Sequence, residues 1–241
     1  MNKIDLYIED EEDIYNEEYT KEDLSRLIIK NKTISNTKLD RCNLTDSDYE
    51  NTYFEKVTFS NCDFSNTKFI GSNFREVEFI NCKLVGINIS NCHMTKTKIE
   101  STLCKYLNIV DTKTKELEIK ESDFTESSFY NVELPKVSLE NINFKSSEFM
   151  QTKLSGIDFS TCNIEGIKLD EKGIKGIMVN QFQAIDLARL LGIEIVDYEE
   201  EDGYVNISGN EGKRKITYVA SENHSENFED PEEKVRANFF A

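Results

Sequence analysis

Residues 52–84 read TYFEK VTFSN CDFSN TKFIG SNFRE VEFIN CKL, and the phase of that stretch decides the fold. Phe54, Phe59, Phe64, Phe69, Phe74, Phe79 and Leu84 stand five residues apart. Working outward, the count runs back through Tyr49, Leu44, Leu39, Ile34 and Ile29 to Leu24. It runs forward through Ile89, Met94, Ile99, Cys104 and Ile109 to Val179, with Thr114 as its one polar stop. A period of five is neither the helical 3.6 nor the strand 2.0. Held over this length, it predicts a solenoid whose units bury their apolar residues only by stacking on neighbours.

A second register reinforces the first. Two residues before most centres stands a small or β-branched side chain, as at Cys42, Thr52, Val57, Cys62, Thr67, Ser72, Val77 and Cys82. The residue between is often Asp or Asn, as at Asn43, Asp63, Asn73, Asp123 and Asn163. This pattern resembles the pentapeptide-repeat family over roughly residues 24–179. The resemblance implies an all-β solenoid, a right-handed quadrilateral parallel β-helix with four pentapeptides per coil. Residue n then stacks on n+20 at about 4.8 Å, which puts Phe54 under Phe74, Phe59 under Phe79, Phe124 under Phe144 and Phe129 under Phe149. Gly71, Gly86, Gly156, Gly166 and Gly176 share a register two places after a centre, where corners of positive φ are expected. No alanine occurs between Leu24 and Val179, so a slightly wider or less regular coil is expected.

Charge divides the chain. The net charge is −17 over 241 residues, yet residues 1–23 and 180–241 each carry −8 and the repeat body only −1. Because the register does not slip, each charge can be assigned to a side of the coil. The side centred on Phe54, Phe74, Met94, Thr114, Leu134, Leu154 and Ile174 carries Lys32, Lys56, Arg75, Lys96, Lys113, Lys115, Lys136, Lys153, Lys172 and Lys175. Against these stand Glu55, Glu76, Glu116 and Glu133, which leaves a net of +6. The other three sides lean acidic. A basic stripe about 36 Å long is expected, with Lys56, Arg75, Lys96, Lys113, Lys115, Lys136, Lys153 and Lys175 as its candidate contact residues. A solvated surface without a partner is the other reading of the same imbalance.

Nothing in the chain spells an active site. Its two histidines, His93 and His224, form no nucleophile–base pattern, and Ser208–Lys213 lacks the spacing of a phosphate loop. The six cysteines lie in inward positions without metal-ligand spacing and read as packing residues, Cys42, Cys62 and Cys82 forming one column. No catalytic, cofactor or metal residue is expected, and the chain reads as a non-enzyme.

The organisation expected is an acidic N-terminal extension or cap at 1–23, the solenoid at 24–179, a helix–strand cap at 180–196 and an acidic extension at 197–241. Thr20–Asp23 reads as a helix start. Asn180 reads as an N-cap with Gln183 three residues on, Gly192 as a C′ stop and Ile193–Val196 as a short strand. Tyr204–Ile207 and Lys215–Val219 read as a hairpin, and Asp230-Pro231 as another helix start. The segment from Gln183 to Ile193 is similar to the C-terminal module of the branch that protects topoisomerases from quinolones. That similarity implies a homodimer through Phe182, Ile185, Leu187, Leu190 and Leu191.

Two functions are consistent with these features. The first is a non-enzymatic scaffold for protein–protein interaction with an unidentified protein partner, its basic stripe serving as a docking face or as a rest for the acidic extensions. The second, implied by the branch resemblance, is a DNA mimic that binds DNA gyrase or topoisomerase IV, type II topoisomerases, and protects them from quinolones or toxins. Mimicry needs a rod-shaped negative field, and a near-neutral body with one basic side argues against it. Nucleic acid is disfavoured as a partner because the acidic extensions repel phosphates. The chain has no apolar run suited to a signal peptide or membrane span, so a cytoplasmic location without a membrane partner is expected.

Overall fold

The computed structural model describes residues 13–196, 198–201, 204–207 and 218–219. The chain divides into two compact units, Met1–Leu187 and Ala188–Ala241. The first is a parallel β-solenoid of about 8 turns. Its strands are mostly three residues long, with the centre buried and its neighbours turned outward, as in Tyr53–Glu55 and Lys68–Ile70. Each pairs in parallel with the strand twenty residues on: Ile34 with Phe54, Phe54 with Phe74, Phe59 with Phe79, and Phe129 with Phe149. Three sides of the coil carry such ladders. The fourth, centred on Leu44 and Phe64, is held by single bridges such as Asn43 to Asp63.

The expected aromatic columns form. Ring centroids are 5.1 Å apart for Phe54 and Phe74, 5.1 Å for Phe59 and Phe79, and 4.4 Å for Phe129 and Phe149, all nearly parallel. Phe124 and Phe144 are tilted by 39°. Edge-to-face contacts such as Phe59 on Phe64, at 4.9 Å, tie one column to the next. The intervening coils have aliphatic centres, and an apolar cavity of about 30 Å³ runs through this part of the core, lined by residues from Phe69 to Phe159.

The corner register is confirmed, and it is broader than the glycines suggest. From Asn16 to Gly156 every fifth residue has positive φ, and only Gly71, Gly86 and Gly156 among them are glycine. Asparagine accepts this left-handed geometry readily. Lys56, Tyr106 and Glu116 do not, and the ladders on either side impose it on them.

The slot two residues before each centre has a use that smallness alone does not capture. Thr67 donates its hydroxyl to the Leu44 carbonyl at 2.8 Å, and Ser127 donates to Cys104 at 2.8 Å. Cys62 donates its thiol to Leu39 and Ser60, and Cys82 to Phe59 and Ile80. Serine, threonine and cysteine thus bind carbonyls that face the coil interior, which alanine could not do.

Several expectations need correction at the ends. Among the described residues the solenoid begins at Ile14, not Leu24: Ile14 pairs with Ile34 and Tyr19 with Leu39, both in phase. No helix starts at Thr20, because Glu18–Thr20 is a strand of the first coil. In that coil the slots before Tyr19 and Leu24 hold Glu17 and Glu22, both half-buried, and the first slot of the next coil holds Lys32. At the far end the ladders stop at Leu169, and Glu171–Ile174 makes a helical turn capped by Asp170, which accepts from the Gly173 N–H at 2.9 Å. A carboxylate N-cap at this point favours a turn over a further strand.

The helix Gln181–Leu190 forms as expected. Asn180 Oδ1 accepts from the Phe182 and Gln183 N–H groups at 3.0 Å each, while Gln183 Oε1 accepts from the Asn180 N–H at 2.8 Å, a reciprocal cap. Gly192 ends it with φ +75°. Ile193–Val196 forms no strand. In the second unit, Tyr204–Ile207 pairs antiparallel with Tyr218–Val219, the expected hairpin partner, and also with Tyr198–Glu201. Ser208–Lys213, His224 and Asp230-Pro231 lie outside the described residues.

One interruption lies within the solenoid. Elsewhere a corner N–H reaches the next coil, as from Lys56 to Arg75 and Asn61 to Ile80, and slot carbonyls accept from it, as Lys32 does from Tyr53 and Thr37 from Thr58. Between residues 133–140 and 153–160 none of the four equivalent bonds is made; the Asn141 N–H goes instead to Thr161 Oγ1 at 3.3 Å. Pro135 lies on the near lip. It has no N–H for the ladder and fixes φ near −65°, and the pairing of 113–120 with the coil that carries it skips the Thr114–Leu134, Lys115–Pro135 and Leu117–Val137 positions. Leu134, Val137 and Leu139 are only half-buried, whereas the matching residues Phe54, Val57 and Phe59 are fully buried.

Candidate interaction surfaces

On the side that carries the surplus of bases, the centres Ile34, Phe54, Phe74, Met94 and Thr114 lie in one in-register ladder. Thr114, the one polar centre, donates its hydroxyl to the Glu133 carbonyl at 2.9 Å. The outward charges on this side are sorted by the twenty-residue spacing. Arg75 pairs with Glu55 at 3.5 Å, Lys96 with Glu76 at 3.5 Å, Lys113 with Glu133 at 3.3 Å and Lys136 with Glu116 at 3.8 Å. A hydrogen bond donated to the Tyr53 hydroxyl and the Glu55 charge hold the Arg75 guanidinium more firmly protonated than usual.

All four acids of this side are therefore engaged. Of the eight candidate contact residues, Arg75, Lys96, Lys113 and Lys136 are partnered, whereas Lys56, Lys115, Lys153 and Lys175 make no ion pair among the described residues. Lys32 joins this second group near Lys56. Lys172 donates to the Gln151 carbonyl at 2.5 Å. Lys153, Lys172 and Lys175 gather where the ladder gives way to the helical turn. Exposed ion pairs are worth about 0–1 kcal/mol, so the pairing matters less for stability than for where the surplus charge is left.

The other sides neutralise themselves in the same manner. Lys30 pairs with Glu50, Lys68 with Asp48, Lys83 with Asp63, Lys105 with Asp123, and Lys145 with Glu165. On the Leu44 side, Asp63 accepts from the Ser65 N–H at 3.0 Å and hydroxyl at 2.6 Å, and Asp123 does the same with Thr125 at 3.0 and 2.5 Å. Burial opposes ionisation of these two carboxyls, but the hydroxyl and amide donors prevail and hold them below the usual range. This local turn explains why Asp and Asn precede so many centres.

A second surface lies at the helix Gln181–Leu190. Leu187 is buried, but the other candidate dimer residues are not: Phe182 is 70% exposed, Ile185 40%, Leu190 54% and Leu191 61%. Gln183, first noted as a capping residue, also donates to the Phe159 and Cys162 carbonyls at 2.9 and 2.7 Å. Asn180 adds a bond to the Ser160 carbonyl at 2.9 Å. Two polar side chains thus seal the last coil, and the helix's large apolar side chains are left facing water.

The six cysteines are free thiols and all buried. Burial pushes Cys92 up to about 11 and Cys104 well above the ordinary thiol range. Among the described residues no group of three or more His, Cys, Asp and Glu is placed to hold a metal ion. Among the described residues no helix is long and apolar enough to cross a membrane.

The family model for a pentapeptide repeat region matches residues 52–129, and that for pentapeptide repeats (8 copies) matches residues 122–160. No curated protein matches the chain. Among solved structures, trypsin-treated QnrB1, a plasmid-mediated fluoroquinolone resistance protein, aligns at 18% identity over 76% of this chain and 100% of its own, with a TM-score of 0.37. HetL, a pentapeptide repeat protein involved in heterocyst differentiation regulation in Nostoc sp. strain PCC 7120, aligns at 13% identity over 75% and 98%, with a TM-score of 0.33. Rfr23, a pentapeptide repeat protein from Cyanothece 51142, aligns at 12% identity over 70% and 95%, with a TM-score of 0.21. The family models together span 52–160, within a fivefold register that the ladders carry from Ile14 to Leu169, and the chain is a pentapeptide-repeat protein.

Proposed function

We propose that this repeat scaffold is a non-enzymatic binding protein that docks an acidic surface of a protein partner on its basic side. The observation that carries the reading is the unequal pairing on that side: every acid is engaged, and Lys32, Lys56, Lys115, Lys153 and Lys175 make no ion pair among the described residues. An in-register ladder fixes the spacing of Lys32, Lys56 and Lys115, so little ordering entropy is lost when a partner binds there. Charge of one sign also speeds encounter with an oppositely charged surface.

The test is affinity capture from native cell extract with the intact chain and with a Lys56→Glu/Lys115→Glu/Lys153→Glu variant. These side chains point outward, so the variant keeps its circular dichroism. Loss of the captured protein supports docking on this side; capture that survives all three reversals sinks it.

The exposed Phe182, Ile185, Leu190 and Leu191 support a further part of the proposal, a homodimer through the C-terminal helix. Sedimentation at micromolar concentration reads this directly, with Phe182→Glu expected to give a monomer. The alternative, protection of DNA gyrase or topoisomerase IV by DNA mimicry, draws on the same helix. The lysine–acid pairs weaken it, because they interrupt the negative charge of the other three sides. Protein that neither inhibits nor protects gyrase supercoiling removes it.

A further inference from the structure

The seam between residues 133–140 and 153–160 is open on two adjacent sides of the coil and closed on the other two. On the closed sides, Asn143 bridges Asn163, and Glu148 and Phe149 pair with Lys168 and Leu169. The Phe144 N–H also reaches the Asn163 carbonyl at 2.7 Å. On the open sides, Lys136 makes no bond to Ser155, Lys153 none to Val132 and Asp158 none to Val137. Three features coincide there: missing ladder bonds, the half-buried lip of Leu134, Val137 and Leu139, and an apolar cavity whose lining includes that lip together with Ile157 and Phe159 on the other. The far lip does not lack partners above it, since Gly156 and Phe159 donate to Gly176 and Met178 in the last coil. Residues 153–179 are thus bound together, and bound to the coil below along two sides only.

We infer that the solenoid is hinged at this seam. The last coils swing as a flap about the pairings at 143 and 148–149, alternately closing the lips to strand spacing and baring Leu134, Val137 and Leu139. Pro135 adds to the looseness of the near lip from its other side, because without an N–H it cannot donate to the coil below. The opening lies on the basic side and its neighbour, so a partner seated near Lys153 meets whichever state is populated. The inference does not depend on that partner.

Hydrogen exchange and cross-linking test it on the full chain. Amides of 134–141 are expected to exchange at least about tenfold faster than those of 54–61, while 128–132 stay protected. A Ser138→Cys/Asp158→Cys variant places outward thiols across the seam, and Thr58→Cys/Glu78→Cys places them across an intact rung. Both pairs should form disulfides, which need Cα atoms about 4.4–6.8 Å apart, the seam pair more slowly and with loss of the fast exchange afterwards. Exchange at 134–141 as slow as at 54–61 overturns the hinge, as does a seam pair that links as fast as the control. A seam pair that never links while the control does shows a fixed gap, which overturns it equally.

Discussion

The coils around Phe54–Phe79 and those around Leu134–Phe159 obey the same fivefold rule and are built to different standards. In the first region seven aromatic residues from Tyr49 to Phe79 interlock across two coils, with every centre buried. In the second, a proline interrupts the ladder, the centres Leu134 and Leu139 are half-buried, and four backbone bonds are not made. The period guarantees that side chains face inward. It does not guarantee that successive coils touch.

Substitutions across the two regions probe this contrast directly. The largest effect is expected from Phe64→Ala, about 3–5 kcal/mol as for other buried phenylalanines, whereas Leu139→Ala costs about 1 kcal/mol because its side chain already meets water. Equal losses in urea unfolding would break the comparison. Next, Thr67→Val removes a 2.8 Å hydroxyl–carbonyl bond and costs about 1 kcal/mol. The reverse exchange at the seam, Val137→Thr, should leave the melting temperature nearly unchanged. A smaller gain, about 0.5–1 kcal/mol, is expected from Tyr106→Asn, which relieves a bulky side chain at φ +57°. Lys136→Asn should gain less, since its corner N–H lacks the ladder bond that holds Lys56 in place.

Acid should give the smallest contrast. Hydrogen bonds from Ser160 lower Asp158, and donors from Ser65 lower Asp63 against its burial. For both, the folded value lies below the unfolded one, so their stabilisation is whole above about pH 3.9 and is lost as pH falls through the lower, folded value. Exchange at the seam is expected to rise before exchange at 54–61 as pH drops below 4. Simultaneous loss would show that one cooperative unit spans both regions.

Much of the architecture is legible in the sequence because one residue in five carries it. Phe54 over Phe74, the cap at Asn180 and Gln183, and the corner at Gly71 all follow from position alone. The start at Ile14 is harder to read, since charged residues fill its slots where Cys, Ser or Thr stand later. The seam is harder still: Pro135 keeps the phase intact, and its effect on pairing shows only in the ladder. Of the basic side, the charges are readable and their partners are not. Which lysines remain without an ion pair depends on what stands twenty residues away and how the side chains lean.

Glu17 and Glu22 bear on a different question, that of fibre growth. A coil end with unpaired strands is a seed on which another molecule can add its own coil, and a rod that seeds itself becomes a filament. A second copy stacking on the first described coil must bury two carboxylates that have no place in an apolar slot. Two residues that look like faults in the repeat thereby disfavour addition of a second copy on that coil.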